Sequence, residues 1–339
     1  MELVKDLDTE VWRRAIQEHP EGNIFHTSEM FQVFARAQGH KPTLWAVTDG
    51  QAQVLALLLP VRVTLMQGLL KTLTTRSVVY GGLFCPAGAN QQQALTLLLD
   101  AYVHKRRPSL FTELRHLHDS SSYQSVLQAH GFGFEEHQDF LINLDLPVEQ
   151  VWTNIHKSAR KKIRQAENKN ALTIEELHDR AKLPLWYALL QKTYTTARVP
   201  LAHYSLFEAV FDILCPKGMA QFLLGRVQDR YIAASVALLY KDKIYGWYRG
   251  FDREYGHYLP NDLMVWHLLK WGVEHGYRAF DFGGAGKPGE EYGPRRFKAK
   301  FGGELVSFGR NICTHWPLLL KLSRLNYQIY RRFFLGGAK

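Results

Sequence analysis

The sequence predicts a mixed α/β chain of two tandem domains, each a mixed, mainly antiparallel sheet flanked by helices, and three observations carry that expectation. At 339 residues the chain exceeds the ~250–300 residues over which one hydrophobic core usually keeps growing, so two domains of about 150 residues are the natural division. Segments of helical period alternate with strand-like runs along the whole length. The order helix, antiparallel strands, helix, strand occurs before Pro147 and again after it, with no residue-level repeat between the halves. The expected domains are 1–147 and 148–315, the second carrying the main site, with a terminal helix over 316–335 packing back on the first.

In the first half, residues 1–20 read as a helix. A second helix covers 28–39, where Ser28 suits an N-cap, Met30, Phe31, Phe34 and Ala35 share a face, and Gly39 stops the helix. Strand-like runs at 43–50 and 52–65 meet at Asp49-Gly50, a hairpin signal. A strand over 77–85, a helix over 91–106, a strand over 109–117, a short helix over 121–132 ended by Gly131, and a strand over 139–146 complete it. The second half opens on a basic helix, then a strand over 172–177 and helices over 183–198 and 205–216. Three strands follow, at 220–227, 231–241 and 243–251, with turns at Gln228-Asp229 and Lys241-Asp242. A helix over 259–277 leads into a short strand over 279–284.

Composition narrows the class. Hydrophobic residues are 46% and charged residues 22%, an ordinary globular balance. No apolar run approaches the ~20 residues of a membrane span, and the first residues are charged, so the expected place is the cytoplasm, with peripheral contact at the inner membrane face as an option. Cys85, Cys215 and Cys313 are far apart and read as buried apolar residues. His104, His116, His118, His130 and His137 have no metal-binding spacing, so no metal is expected. The formal charge of +10 points to a polyanionic partner: RNA, a nucleotide-linked precursor or an anionic membrane.

The densest chemical signal is residues 279–310. Gly283, Gly284, Gly286, Gly289 and Gly293 predict an open loop able to approach a ligand. Beyond it Lys298 and Lys300 stand between Phe297 and Phe301, flanked by Arg295 and Arg296, cations held beside aromatics.

This D-x-G-G, glycine-rich loop, F-K-x-x-F series resembles the C-terminal signature of the FemABX aminoacyltransferases and their BioF2-like relatives in the GNAT superfamily. NIHKSARKKIRQAENKN, KTYTTAR and LYKDKIYGWYRGFD resemble further family segments in the same order, so the resemblance spans about residues 150–310. It implies tandem GNAT-like domains with the site lined mainly by the second. By position, Lys298 is the implied catalytic cation, Tyr248 matches a strand tyrosine facing the same cleft, and Arg198 lies near a cation that grips the nucleotide-linked precursor in the family. Gly283, Gly284, Tyr292, Arg295 and Lys300 line the implied substrate site. The family's first-domain lysine falls nearest Phe34, leaving Arg36 as the neighbouring cation, while Asp119 or His116 stands nearest a first-domain aspartate.

The implied reaction is N-acyl transfer, in which a cation stabilises the oxyanion formed when an amine attacks an activated carbonyl. Tyr245 and Tyr248 are additional candidate donors. The segment REYGHYLPN lacks the Q-x-x-G-x-G/A pyrophosphate cradle of CoA-dependent GNAT proteins, which favours aminoacyl-tRNA over acyl-CoA as a transient cosubstrate, with nothing permanently bound. The expected acceptor is an amine of a nucleotide- or lipid-linked peptidoglycan precursor. Two alternatives are acyl-CoA-dependent acylation of an amino sugar or polysaccharide, and a non-catalytic RNA- or precursor-binding protein. Lys157, Arg160, Lys161 and Arg164, with Lys162, form a basic helix face suited to RNA or phosphate. Leu318, Leu322, Leu325, Ile329 and Phe333 form a terminal stripe that suits either a membrane surface or the first domain. The expected assembly is a monomer or weak dimer.

Overall fold

The computed structural model describes residues 1–66, 68, 71–104, 109–169 and 172–323. The chain divides into two compact units, Met1–Glu136 with Phe308–Lys339, and His137–Ser307. The first is built on two sheets, of three and six strands, and the second on one sheet of seven, each flanked by helices.

The first unit opens with a strand, β1 (Glu2–Val4), and only then a helix, α1 (Thr9–Glu18). The single helix expected over 1–20 is thus corrected: the Asp8 carboxylate accepts from the N–H groups of Glu10 and Val11 and starts the helix there. In α2 (Ser28–Arg36) the cap is the Thr27 hydroxyl, not Ser28. After β2 (His40–Pro42) and β3 (Trp45–Thr48), the run expected as one strand over 52–65 is two, β4 (Val54–Leu58) and β5 (Val61–Thr64). Pro60 stands between them and has no N–H to give a ladder. β4 joins a sheet of order β1-β3-β4, and β5 joins another.

That second sheet receives β6 (Thr75–Gly81), α3 (Gln91–Val103) as a covering helix, and β7 (Phe111–His116), parallel to β6. α4 (Gln124–Ala129) and β8 (Gly133–Glu135) follow. Leu95, Leu98, Leu99 and Tyr102 of α3 pack with Trp45, Val79 and Leu114 into the core of this unit.

The second unit begins with β9 (Gln138–Asn143), α5 (Val148–Asn154), α6 (Lys157–Asn168) and β10 (Thr173–Glu176). α7 (Leu183–Ala197) and α8 (Tyr204–Ile213) precede the meander β11 (Ala220–Val227), β12 (Arg230–Tyr240) and β13 (Lys243–Phe251). The last elements are α9 (Pro260–Glu274), β14 (Ala279–Gly286), α10 (Gly293–Ala299) and β15 (Glu304–Ser307). The seven strands run β10-β11-β12-β13-β14-β9-β15. α5, α6 and α9 close one face over Phe140, Leu223, Ile244 and Phe280. On α7, Trp186 donates to the Ser235 carbonyl at 3.0 Å and packs on Phe207 and Phe222.

The division falls at 136/137 and 307/308 instead of 147/148 and 315/316. The cause is strand pairing. β9 lies antiparallel to β14 and β15, while β16 (Arg310–Thr314) returns to β7 and β8 of the first unit. Of the terminal helix expected over 316–335, residues 317–323 are helical, and Ser323 donates to the Leu73 carbonyl at 2.6 Å. Residues 324–339, including Leu325, Ile329 and Phe333, lie outside the described residues. Among the described residues no helix is long and apolar enough to cross a membrane.

Candidate functional site

The site grows from a parting of two strands. β13 and β14 pair in parallel at Lys243↔Ala279, Ile244↔Phe280 and Tyr245↔Asp281. Past that point β13 stays with β12 and β14 with β9. A register shift sets Ala237 opposite Gly246 and Val236 opposite Tyr248, so Trp247 is an extra residue, a β-bulge that bends β13. Backbone groups of β13 from Gly246 onward therefore make no ladder with β14.

The bend of β14 is held from two sides. Gly283 has φ +68° and donates its N–H to Asp281 Oδ1 at 2.7 Å. Lys298 reaches from α10 to the carbonyls of Phe282 at 2.7 Å, Gly283 at 2.8 Å and Gly284 at 2.8 Å. An ammonium has three protons, and these three acceptors use them all. Burial, followed by the charge of Arg249, lowers the Lys298 pKa to about 8, against the opposing pull of Asp139 and Asp281. The ammonium expected to face the reacting carbonyl is buried against its own chain.

The expected open loop over 283–293 begins later, because β14, expected over 279–284, runs on to Gly286, and α10 follows the loop. Pro294 fits the first turn, where its missing N–H costs nothing, and the following Arg-Arg-Phe-Lys-Ala favours helix. Arg295 is a staple: Nε donates to Ala285 O at 2.7 Å and Nη1 to Glu290 O at 3.0 Å, while Nη2 meets the Lys287 carbonyl. Lys300 pairs with Asp262 in the first turn of α9, its ammonium 4.1 Å from the Phe297 ring centroid. Tyr292 is partly exposed and lies against Gly286, where an added Cβ would stand 3.1 Å from the ring.

Tyr248 packs edge-on to Phe207 and 5.8 Å from Tyr194. Tyr245 is buried at the last paired position, its hydroxyl pKa pushed well up, first by burial. Arg198 is the exposed, left-handed cap of α7. Lys157, Lys161, Lys162 and Arg164 are exposed on α6, whose Ala159 and Ile163 are buried, and Arg160 is half-buried. The structure thus brings Lys298, Gly283, Gly284, Tyr292 and Arg295 together around one bend. Lys300 lies beside it, while Arg198 and the α6 cations sit on other elements.

The first-unit candidates are placed separately. Arg36 is exposed at the end of α2, and Phe34 is buried between His40 and Tyr80. His116 is buried with its pKa lowered to about 4, chiefly by burial, and its Nε2 lies 2.7 Å from Asn311 Oδ1. Asp119 accepts from Ser121 in a local turn.

Sequence reading missed Arg249. It lies on β13 beyond the parting, its guanidinium 5.2 Å from the Phe282 ring centroid and 5.4 Å from that of Phe297. Its Nη1 is buried without a hydrogen-bond partner, and burial lowers its pKa to about 10. One cation inside the apolar run IYGWYRGF was the available signal. Asp281 Oδ2 is likewise buried without a partner, and burial raises that carboxyl's pKa. No group of three or more His, Cys, Asp or Glu suited to a metal occurs among the described residues.

Residues 153–299 match the acetyltransferase (GNAT) domain family. The crystal structure of FemX superposes with a TM-score of 0.72 at 18% identity, covering 95% of this chain and 99% of that one. L-PGS from Bacillus licheniformis gives a TM-score of 0.57 at 14% identity, over 96% and 99% of the two chains. A tandem GNAT protein from the clavulanic acid biosynthesis pathway gives 0.53 at 10% identity, over 92% and 98%. No curated protein matches by sequence. These structural likenesses show a shared fold. Residues 153–299 thus form a GNAT acetyltransferase domain, and nearly the whole chain shares the fold of FemX.

Proposed function

We propose that this N-acyltransferase moves an aminoacyl group from a charged tRNA to an amine of a nucleotide- or lipid-linked peptidoglycan precursor. The observation that carries the reading is the start of α9. A helix N-terminus binds a diphosphate through free N–H groups and its positive dipole end. Here the first helical residue is Pro260, which has no N–H, after a left-handed Leu259, and the Asp262 carboxylate occupies the first turn beside Lys300. A carboxylate and a missing donor make a poor seat for the diphosphate of CoA. An aminoacyl ester makes no such demand.

The exposed cations of α6 support the same reading, because Lys157, Lys161, Lys162 and Arg164 present positive charge in the very domain that bears the site. The likeness in fold to FemX and to L-PGS agrees with it. In this chemistry the amine attacks the ester carbonyl, and the ribose oxygen leaves with the proton the amine gives up. Lys298 acts as a positioning residue by fixing the Phe282–Gly284 carbonyls, and Tyr248, Tyr292 and Arg198 are the proposed contacts to substrate.

The test is to incubate the purified chain with lipid-linked or nucleotide-linked precursor and either tRNA charged with labelled amino acids or labelled acetyl-CoA. Label transfer from tRNA alone is expected. Transfer from acetyl-CoA with tight CoA binding in calorimetry would replace this reading with CoA-dependent acylation, and binding without transfer from either donor would leave a precursor- or RNA-binding protein.

A further inference from the structure

A guanidinium nitrogen taken out of water without an acceptor is costly, and a chain keeps one only when something else gains from it. Four cations surround the bend of β14, and three are spoken for. Lys298 is saturated by three carbonyls, Arg295 holds Ala285, Glu290 and Lys287, and Lys300 pairs with Asp262. Arg249 differs: its guanidinium rests between Phe282 of β14 and Phe297 of α10, and Nη1 is left buried with no acceptor. The rings hold the plane of the group by cation–π attraction without using its N–H donors. Because β13 carries Arg249 and β14 carries Phe282, this donor lies where the two strands have parted.

We propose that Arg249 is a further catalytic residue of the acyl transfer, its Nη1 donating a hydrogen bond to the oxyanion formed at the donor carbonyl. The inference rests on the acyl-transfer reading, but not on which donor is used. Attack forms the C–N bond and moves the carbonyl π pair onto oxygen. Collapse restores C=O and expels the ribose oxygen, or the thiolate if the donor is a thioester, with the amine proton going to the leaving group. Arg249 keeps its proton throughout. None of the guanidinium nitrogens has a hydrogen-bond partner among the described residues, and Nη1 is the one that is also buried, so it is the donor a substrate oxygen would relieve. The same geometry removes Lys298 from that role, since it has no proton left to offer.

The experiment compares Arg249→Met and Arg249→Lys with the wild type for kcat, KM and thermal midpoint, using whichever donor the wild type turns over. Met fills the space between two phenyl rings without a charge, so the midpoint should equal or exceed that of the wild type, while kcat falls about 100-fold. KM for donor and acceptor should stay within about twofold, the signature of an interaction made only in the transition state. The defect should be equal at pH 6 and pH 9, and Lys should recover part of the loss. Unchanged kcat, or a rise in KM alone, overturns the oxyanion role. A midpoint several degrees lower in both variants, with kcat per folded molecule retained, makes Arg249 structural. A wild type inactive with every donor sinks the acyl-transfer reading and this inference with it, whereas an active wild type with an equally active Arg249→Met sinks the inference alone.

Discussion

In the first unit β6 and β7 stay paired in parallel from Ser77↔Thr112 to Gly81↔His116, while in the second β13 and β14 part after Tyr245↔Asp281. The polar groups follow that difference. Glu113, buried on β7, is closed off by Arg115 at 2.8 Å and Arg310 at 2.6 Å. On the parted pair, Arg249 Nη1 and Asp281 Oδ2 are buried with no partner. On β7 the buried carboxylate is neutralised by its own neighbours, although Arg76 Nε on β6 is buried with no partner; on β13 and β14 a guanidinium nitrogen and a carboxylate oxygen both stand unpaired. Substitutions in the first should therefore act on stability, and those in the second on turnover as well.

The largest stability effect is expected at Glu113. Replacing it by Gln leaves two partly buried guanidinium groups without their carboxylate, a loss of about 3 kcal/mol in urea unfolding, with activity per folded molecule unchanged. Burial raises this carboxyl's pKa, but Arg115 and Arg310 outweigh it and the net shift is downward. Its contribution is thus present above the unfolded value near 4.5 and is lost as pH falls through the lower folded value. An acid titration of stability that is the same in Glu113→Gln and wild type would break the comparison.

Lys298→Met should cost about 2–3 kcal/mol and also activity, since three carbonyls lose their donor and the bend of β14 loosens. Here the sign reverses. The folded pKa of about 8 lies below the ordinary lysine value of 10.5, so the unfolded chain binds more protons between them and stability rises with pH across that interval. The variant should lack that rise, which a set of unfolding curves from about pH 7.5 to 10.5 reads directly.

Gly250→Ala comes next, at about 2 kcal/mol. An added Cβ would stand 2.7 Å from Leu190 Cα and 2.9 Å from Leu189 O, so β13 and α7 must move apart. A thermal midpoint within a degree of wild type would show that α7 does not hold β13 in its bent course. Smallest in stability is the change of Lys157, Lys161, Lys162 and Arg164 to Gln, expected within about 0.5 kcal/mol because none is buried. Its effect belongs to binding: filter-binding affinity for tRNA should fall, and the slope of log affinity against log salt should flatten by about 0.7–0.9 for each phosphate no longer neutralised.

The sequence made the local parts of this picture legible. The meander of β11, β12 and β13 and its turns stand where alternation and the Gln228-Asp229 and Lys241-Asp242 pairs put them, because those signals lie within a few residues. The residues of the D-x-G-G and F-K-x-x-F motifs meet at the bend of β14. Spacing places Lys298 near the glycines, but does not show that the Phe282, Gly283 and Gly284 carbonyls take all three of its protons. Arg249 went unnoticed because one cation in an apolar strand gains meaning only when Phe282 and Phe297 come to lie against it.

What the amino acids determined alone was the class of most segments and the family resemblance, since periodicity, turn residues and motifs are short-range properties. Only tertiary structure decided that β9 belongs to the second unit, that β16 returns to the first, and that β13 leaves β14 after three residue pairs. Strand partners are chosen by groups far apart in the chain, through hydrogen bonds no local pattern specifies. The parting of two strands, and the guanidinium whose Nη1 is buried beside it, follow from that choice.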